Sequence, residues 1–202
     1  MTGARTRIWT IPNLISLARL GCVPWFLYLL WGPERPAAAA WLLAVLGATD
    51  WIDGWIARRF DQGSELGKVL DPTADRALLV AAAVALLVED LPGLVDGFLV
   101  VVLVREVVIA VVTVGLAVAG ARRIDVVWAG KAGTLAVMFS LPMFLLADAV
   151  DGAWSVVLTI GGWGFGAAGI GLGYAAAAQY VPEARRALAE GRAARRDGTG
   201  IR

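Results

Sequence analysis

Histidine is absent from this chain, and cysteine occurs once, as Cys22. Without histidine there is no imidazole metal ligand and no imidazole base, so a catalytic proton acceptor has to be a carboxylate, a lysine, a tyrosine or water. A single cysteine excludes an intramolecular disulfide and leaves Cys22 as a small packing residue. Charge is also scarce. Of 202 residues, 17% are charged and 59% hydrophobic, and the mean hydropathy is +0.72. A soluble domain is about half apolar at most, so the composition specifies an integral membrane protein. No cleavable leader is expected, because the first apolar run is long and contains Pro12, Arg19 and Pro24.

What is present is a series of long apolar runs, at Asn13–Trp31, Ala37–Ile56, Leu66–Val88, Leu91–Ala119, Val126–Val150 and Ala153–Val181. Each is about 20 residues or more, enough to cross ~30 Å of hydrocarbon as a helix. The runs are continuous and not alternating, which favours helices over a transmembrane barrel. The expected fold is an all-α integral membrane bundle of six transmembrane helices. The segment RIWTIPNLISLARL is expected to start as an amphipathic juxtamembrane helix. Residues 1–181 form one membrane domain, and residues 182–202 a basic tail suited to anionic headgroups.

Basic residues alternate along the chain. Arg5 and Arg7 precede the first run, Arg58, Arg59, Lys68 and Arg76 surround the second connection, and Arg122, Arg123 and Lys131 the fourth. Arg185, Arg186, Arg192, Arg195, Arg196 and Arg202 follow the last run, whereas the intervening connections hold only Arg35. The positive-inside rule then puts both termini and the second connection in the cytoplasm. The expected location is the plasma membrane, multi-pass, with the active site facing the cytoplasm. No nucleic-acid partner is expected. The glycine-rich run GGWGFGAAGIGLG lies within the sixth apolar segment. It is read as a surface for close helix packing and not as a phosphate loop, because the strand-and-turn context of such a loop is missing.

Four aspartates interrupt this apolar chain: Asp50, Asp53, Asp71 and Asp75. Asp50 and Asp53 are three residues apart, and Asp71 and Asp75 four, so each pair shares a helix face. Helices joined by a short connection are antiparallel neighbours, so both pairs converge near the cytoplasmic end. Four carboxylates at membrane depth repel one another unless a cation balances them. All-oxygen donors suit one or two Mg²⁺ or Mn²⁺ ions, and two such ions can clamp a diphosphate. Gly54, Ala57 and Gly67 leave room beside the helices, and Arg58 offers a bidentate phosphate contact. The structural alternative pairs each aspartate with Arg58, Arg59, Lys68 or Arg76.

Asp50, Asp53, Gly54, Ala57, Arg58, Gly67, Asp71 and Asp75 fit D-x2-D-G-x2-A-R-x8-G-x3-D-x3-D at every fixed position. The segment resembles the signature of the CDP-alcohol phosphotransferases. TIPNLISLARL further resembles the N-terminal P-N-x-I/L-S/T-x-x-R pattern of the branch that makes phosphatidylglycerophosphate and cardiolipin. The resemblance implies an enzyme that moves a phosphatidyl group from CDP-diacylglycerol to a glycerol-type alcohol and releases CMP. It implies Asp50, Asp53 and Asp71 as metal ligands and Asp75 as a further ligand or the base. Gly54, Ala57, Arg58 and Gly67 would line the CDP pocket, and two divalent ions and a homodimer are implied as well.

The acceptor is less sharply indicated. Candidate contacts are Arg105, Arg122, Arg123 and Lys131. Arg105–Glu106 lies inside an apolar run, as an acceptor site or a structural pair. Users of glycerol 3-phosphate commonly continue R-E-x-x-x-T-x-x-R, where this chain has Ala110 and Thr113. One expected cation is therefore missing, which moves weight from glycerol 3-phosphate towards phosphatidylglycerol. Inositol phosphate is a further alternative. An Asp-rich prenyltransferase and a divalent-cation transporter are more remote ones.

Overall fold

The computed structural model describes the backbone of residues 10–32, 36–60, 67–89, 91, 93–118 and 128–198, with side chains at most of these positions. The described residues form six helices: α1 (Ile11–Trp31), α2 (Pro36–Phe60), α3 (Gly67–Val88), α4 (Val95–Val118), α5 (Trp128–Asp148) and α6 (Ala153–Gly198). Among the described residues four helices are long and apolar enough to cross a membrane, α1, α4, α5 and α6. In α2 the uninterrupted apolar part is shorter, Pro36–Thr49. The chain beyond it carries the first aspartate pair, and α3 carries the second.

Local sequence accounts for the ends of these helices. Thr10 is extended and caps α1, its hydroxyl accepting from the Asn13 amide at 3.4 Å. Helix α1 continues through Pro24 to Trp31, and the start of the expected juxtamembrane segment, before Thr10, lies outside the described residues. At the opposite end of the bundle, Gly93 and Gly152 adopt positive φ, 80° and 75°, in the turns into α4 and α6. These turns move the start of the expected fourth segment from Leu91 to Val95 and the end of the fifth from Val150 to Asp148, while residues 119–127 lie outside the described residues. Helix α6 runs unbroken to Gly198, so the boundary expected at residue 181 falls inside a helix.

Packing centres on α1, α3 and α5. Helices α2 and α3 each pack on both α1 and α5, and α4 packs on α3 and α6. Leu43, Leu78, Leu79, Leu86, Leu99 and Leu141 are fully buried at their junction. The most intimate pair is α5 with α6. A Cβ on Gly169 would lie 2.8 Å from the Gly133 carbonyl oxygen and 2.9 Å from the Val137 nitrogen, so only glycine permits this crossing. Small residues replace the hydrophobic drive in lipid by letting backbones meet. Phe98, Phe144 and Trp163 close the other end as an edge-to-face triangle with centroids 5.3–5.8 Å apart. Outside this core, Val104, Val107, Val111 and Val114 of α4 are exposed, an apolar surface that suits lipid.

Candidate functional site

Helix α1 changes character along one stripe. Thr10, Asn13, Ser16 and Arg19 recur every third residue and are all buried, and Phe26, Leu29 and Leu30 continue the buried side further along. A buried arginine at membrane depth needs an acidic partner. The Arg19 guanidinium donates to the Asp75 carboxylate and forms an ion pair with it. Asp75 is thus held from another helix, 56 residues away in sequence. Its side chain is 19% exposed, against 0% for Arg19. The sequence pattern contained Arg19 but gave it no role; the signal was its three-residue spacing from Asn13 and Ser16.

The remaining motif residues are placed by their backbone. Asp50, Asp53, Gly54, Ala57 and Arg58 lie on the last turns of α2, and Gly67 and Asp71 on the first turns of α3. Their side chains lie outside the described residues. At ~1.5 Å per residue, Asp53 is about 10 Å from the end of α2, and Asp75 about 12 Å from the start of α3. The helices that carry the two pairs share α1 and α5 as neighbours. Among the described residues no group of three acidic, histidine or cysteine side chains forms a metal cluster; of the motif carboxylates, Asp75 alone is described.

Next to Asp75 on α3 a second polar group begins. Arg76 reaches Glu106 of α4 at 3.9 Å, and Glu106 accepts from Arg105 at 2.7 Å. The Arg105 guanidinium also donates to the Thr134 hydroxyl of α5 at 3.4 Å, and Thr134 in turn donates to the Gly130 carbonyl. The far side of Arg105 lies against Gly173 of α6, where a Cβ would be 2.7 Å from Nε. The Arg105 Nε is buried and has no hydrogen-bond partner. Glu106 is buried, Arg105 nearly so, and Arg76 is 44% exposed. Helices α3, α4, α5 and α6 therefore meet around two arginines and one glutamate.

Of the other candidate acceptor contacts, Lys131 is exposed on the first turn of α5. Arg122 and Arg123 lie outside the described residues. Arg105 and Glu106, read as either an acceptor site or a structural pair, are hydrogen-bonded to each other, and Arg76 and Thr134 extend the group.

The described residues thus form a helical bundle with four spans long and apolar enough to cross a membrane and a buried cluster of arginines and acids between its helices. The CDP-alcohol phosphatidyltransferase family model matches residues 9–167, and the chain belongs to that family. Membership implies a CDP-linked donor and an alcohol acceptor. The chain is 37% identical over 185 residues to the cardiolipin synthase (CMP-forming) of Streptomyces coelicolor, covering 89% of this chain and 85% of that one. It is 35% identical over 162 residues to a putative cardiolipin synthase of Mycobacterium tuberculosis, covering 80% and 76% of the two chains. It is also 36% identical over 147 residues to the CDP-diacylglycerol–glycerol-3-phosphate 3-phosphatidyltransferase of Escherichia coli, covering 68% and 77%.

Proposed function

We propose that this chain transfers a phosphatidyl group from CDP-diacylglycerol to phosphatidylglycerol, forming cardiolipin and releasing CMP. The observation that carries the choice of acceptor is the grouping of Arg76, Glu106 and Arg105. Two guanidiniums share one buried carboxylate, which leaves a single positive charge. That matches the one negative charge of a phosphodiester better than a phosphate monoester dianion. Ala110 and Thr113, where a threonine and a second arginine were expected, point the same way. The Streptomyces relative, which covers most of both chains, carries the corresponding name. Glycerol 3-phosphate is the second reading, favoured by the Escherichia coli relative; Arg122, Arg123 and Lys131 would then supply the extra charge.

The donor side follows from the aspartates. Their donor set is all oxygen, on two helices with α1 and α5 as shared neighbours, and fits Mg²⁺ or Mn²⁺. Asp50, Asp53, Asp71 and Asp75 would hold two such ions, which supply charge neutralisation at the diphosphate when bound. Arg58 contacts phosphate, and Gly54, Ala57 and Gly67 give the nucleotide room. The acceptor hydroxyl oxygen bonds to the β-phosphorus, the bond to the CMP oxygen breaks, and the hydroxyl proton leaves to a carboxylate. Asp75 is our candidate for this role, because its neighbour Arg76 belongs to the acceptor group. Alternating basic connections support a cytoplasmic site in the plasma membrane, where CDP-lipid is available. The six-span arrangement and a homodimer belong to the same reading.

The test is product identification. Purified protein receives CDP-diacylglycerol with phosphatidylglycerol or with glycerol 3-phosphate, and the lipid products are resolved by mass spectrometry. Cardiolipin with stoichiometric CMP supports the proposal. Phosphatidylglycerophosphate alone transfers it to the second reading, and no acceptor-dependent CMP release sinks both.

A further inference from the structure

We infer that Arg19 of α1 is a positioning residue for divalent-cation binding, acting through Asp75; this rests on the metal-site reading above. Three observations carry it. Arg19 is fully buried, so its charge has been taken out of both lipid and water. Its guanidinium bonds Asp75, 56 residues away on another helix. It also ends a buried polar stripe, Thr10, Asn13, Ser16 and Arg19, on the side of α1 that turns apolar further along.

A staple between α1 and α3 is the simpler account, and energetics argue against it. Apolar side chains of similar volume hold two helices at least as well as a buried ion pair. The same stripe supplies Phe26, Leu29 and Leu30 for that purpose. What an arginine adds is direction. A carboxylate has about four lone-pair sites, and a guanidinium bond to Oδ1 uses one and fixes the rotation of the group. Asp75 then presents a set orientation to a cation before the cation arrives. The positive charge also offsets the mutual repulsion of four aspartates in the metal-free protein. Partners of metal-binding carboxylates act in this way generally, and their loss weakens metal binding about 10–100-fold.

The experiment uses the purified full-length protein in lipid-containing micelles, with the thermal midpoint measured against MnCl₂ concentration. Mn²⁺ raises the wild-type midpoint. In Arg19→Met the Mn²⁺ concentration giving half the effect is about 10–100-fold higher. Arg19→Lys lies between, because an ammonium keeps the charge and loses the fork. Without metal, the effects of Arg19→Met and Asp75→Asn do not add, and the double variant melts no lower than Asp75→Asn. An Arg19→Met response at wild-type Mn²⁺ concentrations, or additive effects in the metal-free cycle, overturns the inference. Where Arg19→Met does not fold, Arg19→Lys decides by the same comparison. Wild-type protein that releases no CMP defeats the functional reading; active wild type with an unaltered Arg19→Lys Mn²⁺ response defeats this inference alone.

Discussion

Replacing Gly173 by alanine is a small change with a directed effect. The added Cβ would lie 2.7 Å from Arg105 Nε, 3.1 Å from Nη2 and 3.2 Å from Cζ. Ordinary contact between such atoms begins near ~3.5 Å, so the guanidinium has to withdraw by about 0.8 Å. The three nearest atoms all belong to the end of a long side chain and none to a backbone, so the bundle itself is spared. The hydrogen bond to Thr134 is already 3.4 Å and has no slack, whereas Glu106 sits on the same helix as Arg105 and its bond can follow. A hydrogen bond to a charged group contributes about 1.5–3 kcal/mol, and a displacement near ~1 Å alone can cost up to 10²-fold in rate. The expected outcome is a fall of about 10–100-fold in kcat/KM for phosphatidylglycerol, with KM for CDP-diacylglycerol unchanged. Steady-state CMP release, varying one lipid at a time, measures both. Gly171→Ala is the control, since nothing lies within 4 Å of its Cβ position. Wild-type acceptor kinetics in Gly173→Ala would refute the role given to Arg105. So would an equal loss towards donor and acceptor.

Three further outcomes are expected. Asp75→Asn abolishes CMP release while the protein remains monodisperse on size-exclusion chromatography; retained turnover excludes both an essential ligand and a base at this position. Gly169→Ala pushes a methyl group against the α5 backbone and destabilises the bundle by about 1–3 kcal/mol, read as a lower thermal midpoint with the kinetic constants of the surviving fraction intact. Glu106→Gln removes the carboxylate that Arg105 and Arg76 share, at about 3 kcal/mol for the buried partner left uncompensated; most of that loss is recovered in Glu106→Gln with Arg105→Met, and a double variant as unstable as the sum of both would exclude the pairing.

The helices were legible because lipid imposes a simple rule: long apolar runs, each interrupted where the chain turns. Their ends moved by a few residues where local chemistry intervened, at Gly93, at Gly152 and at the Thr10 cap. The glycine-rich run was read as a packing surface, and Gly162, Gly166, Gly169 and Gly173 meet Phe144, Phe98, Gly133 and Arg105 respectively. The partners themselves were not legible, since periodicity gives a face and not what covers it. The aspartates were read from their i,i+3 and i,i+4 spacing and their match to the family signature, neither of which needs tertiary information. Arg19 was overlooked for the converse reason: its meaning lies in a contact across 56 residues. Arg76 is similar. It was counted with the charges around the second connection, yet it faces Glu106 on α4.

The Arg19–Asp75 pair has a consequence for how the protein is made. Synthesis proceeds from the N-terminus at roughly 5–20 residues per second. Asp75 emerges 56 residues after Arg19, a delay of roughly 3–11 s at that rate. During this interval α1 carries a cation whose eventual partner does not yet exist. The N-terminal helix is therefore not a finished insertion unit. Its polar third stays at the headgroup level, where a long arginine side chain can snorkel to water, until α3 arrives and draws it inwards. Docking of α3 on α1 and the pairing of Arg19 with Asp75 are then one event.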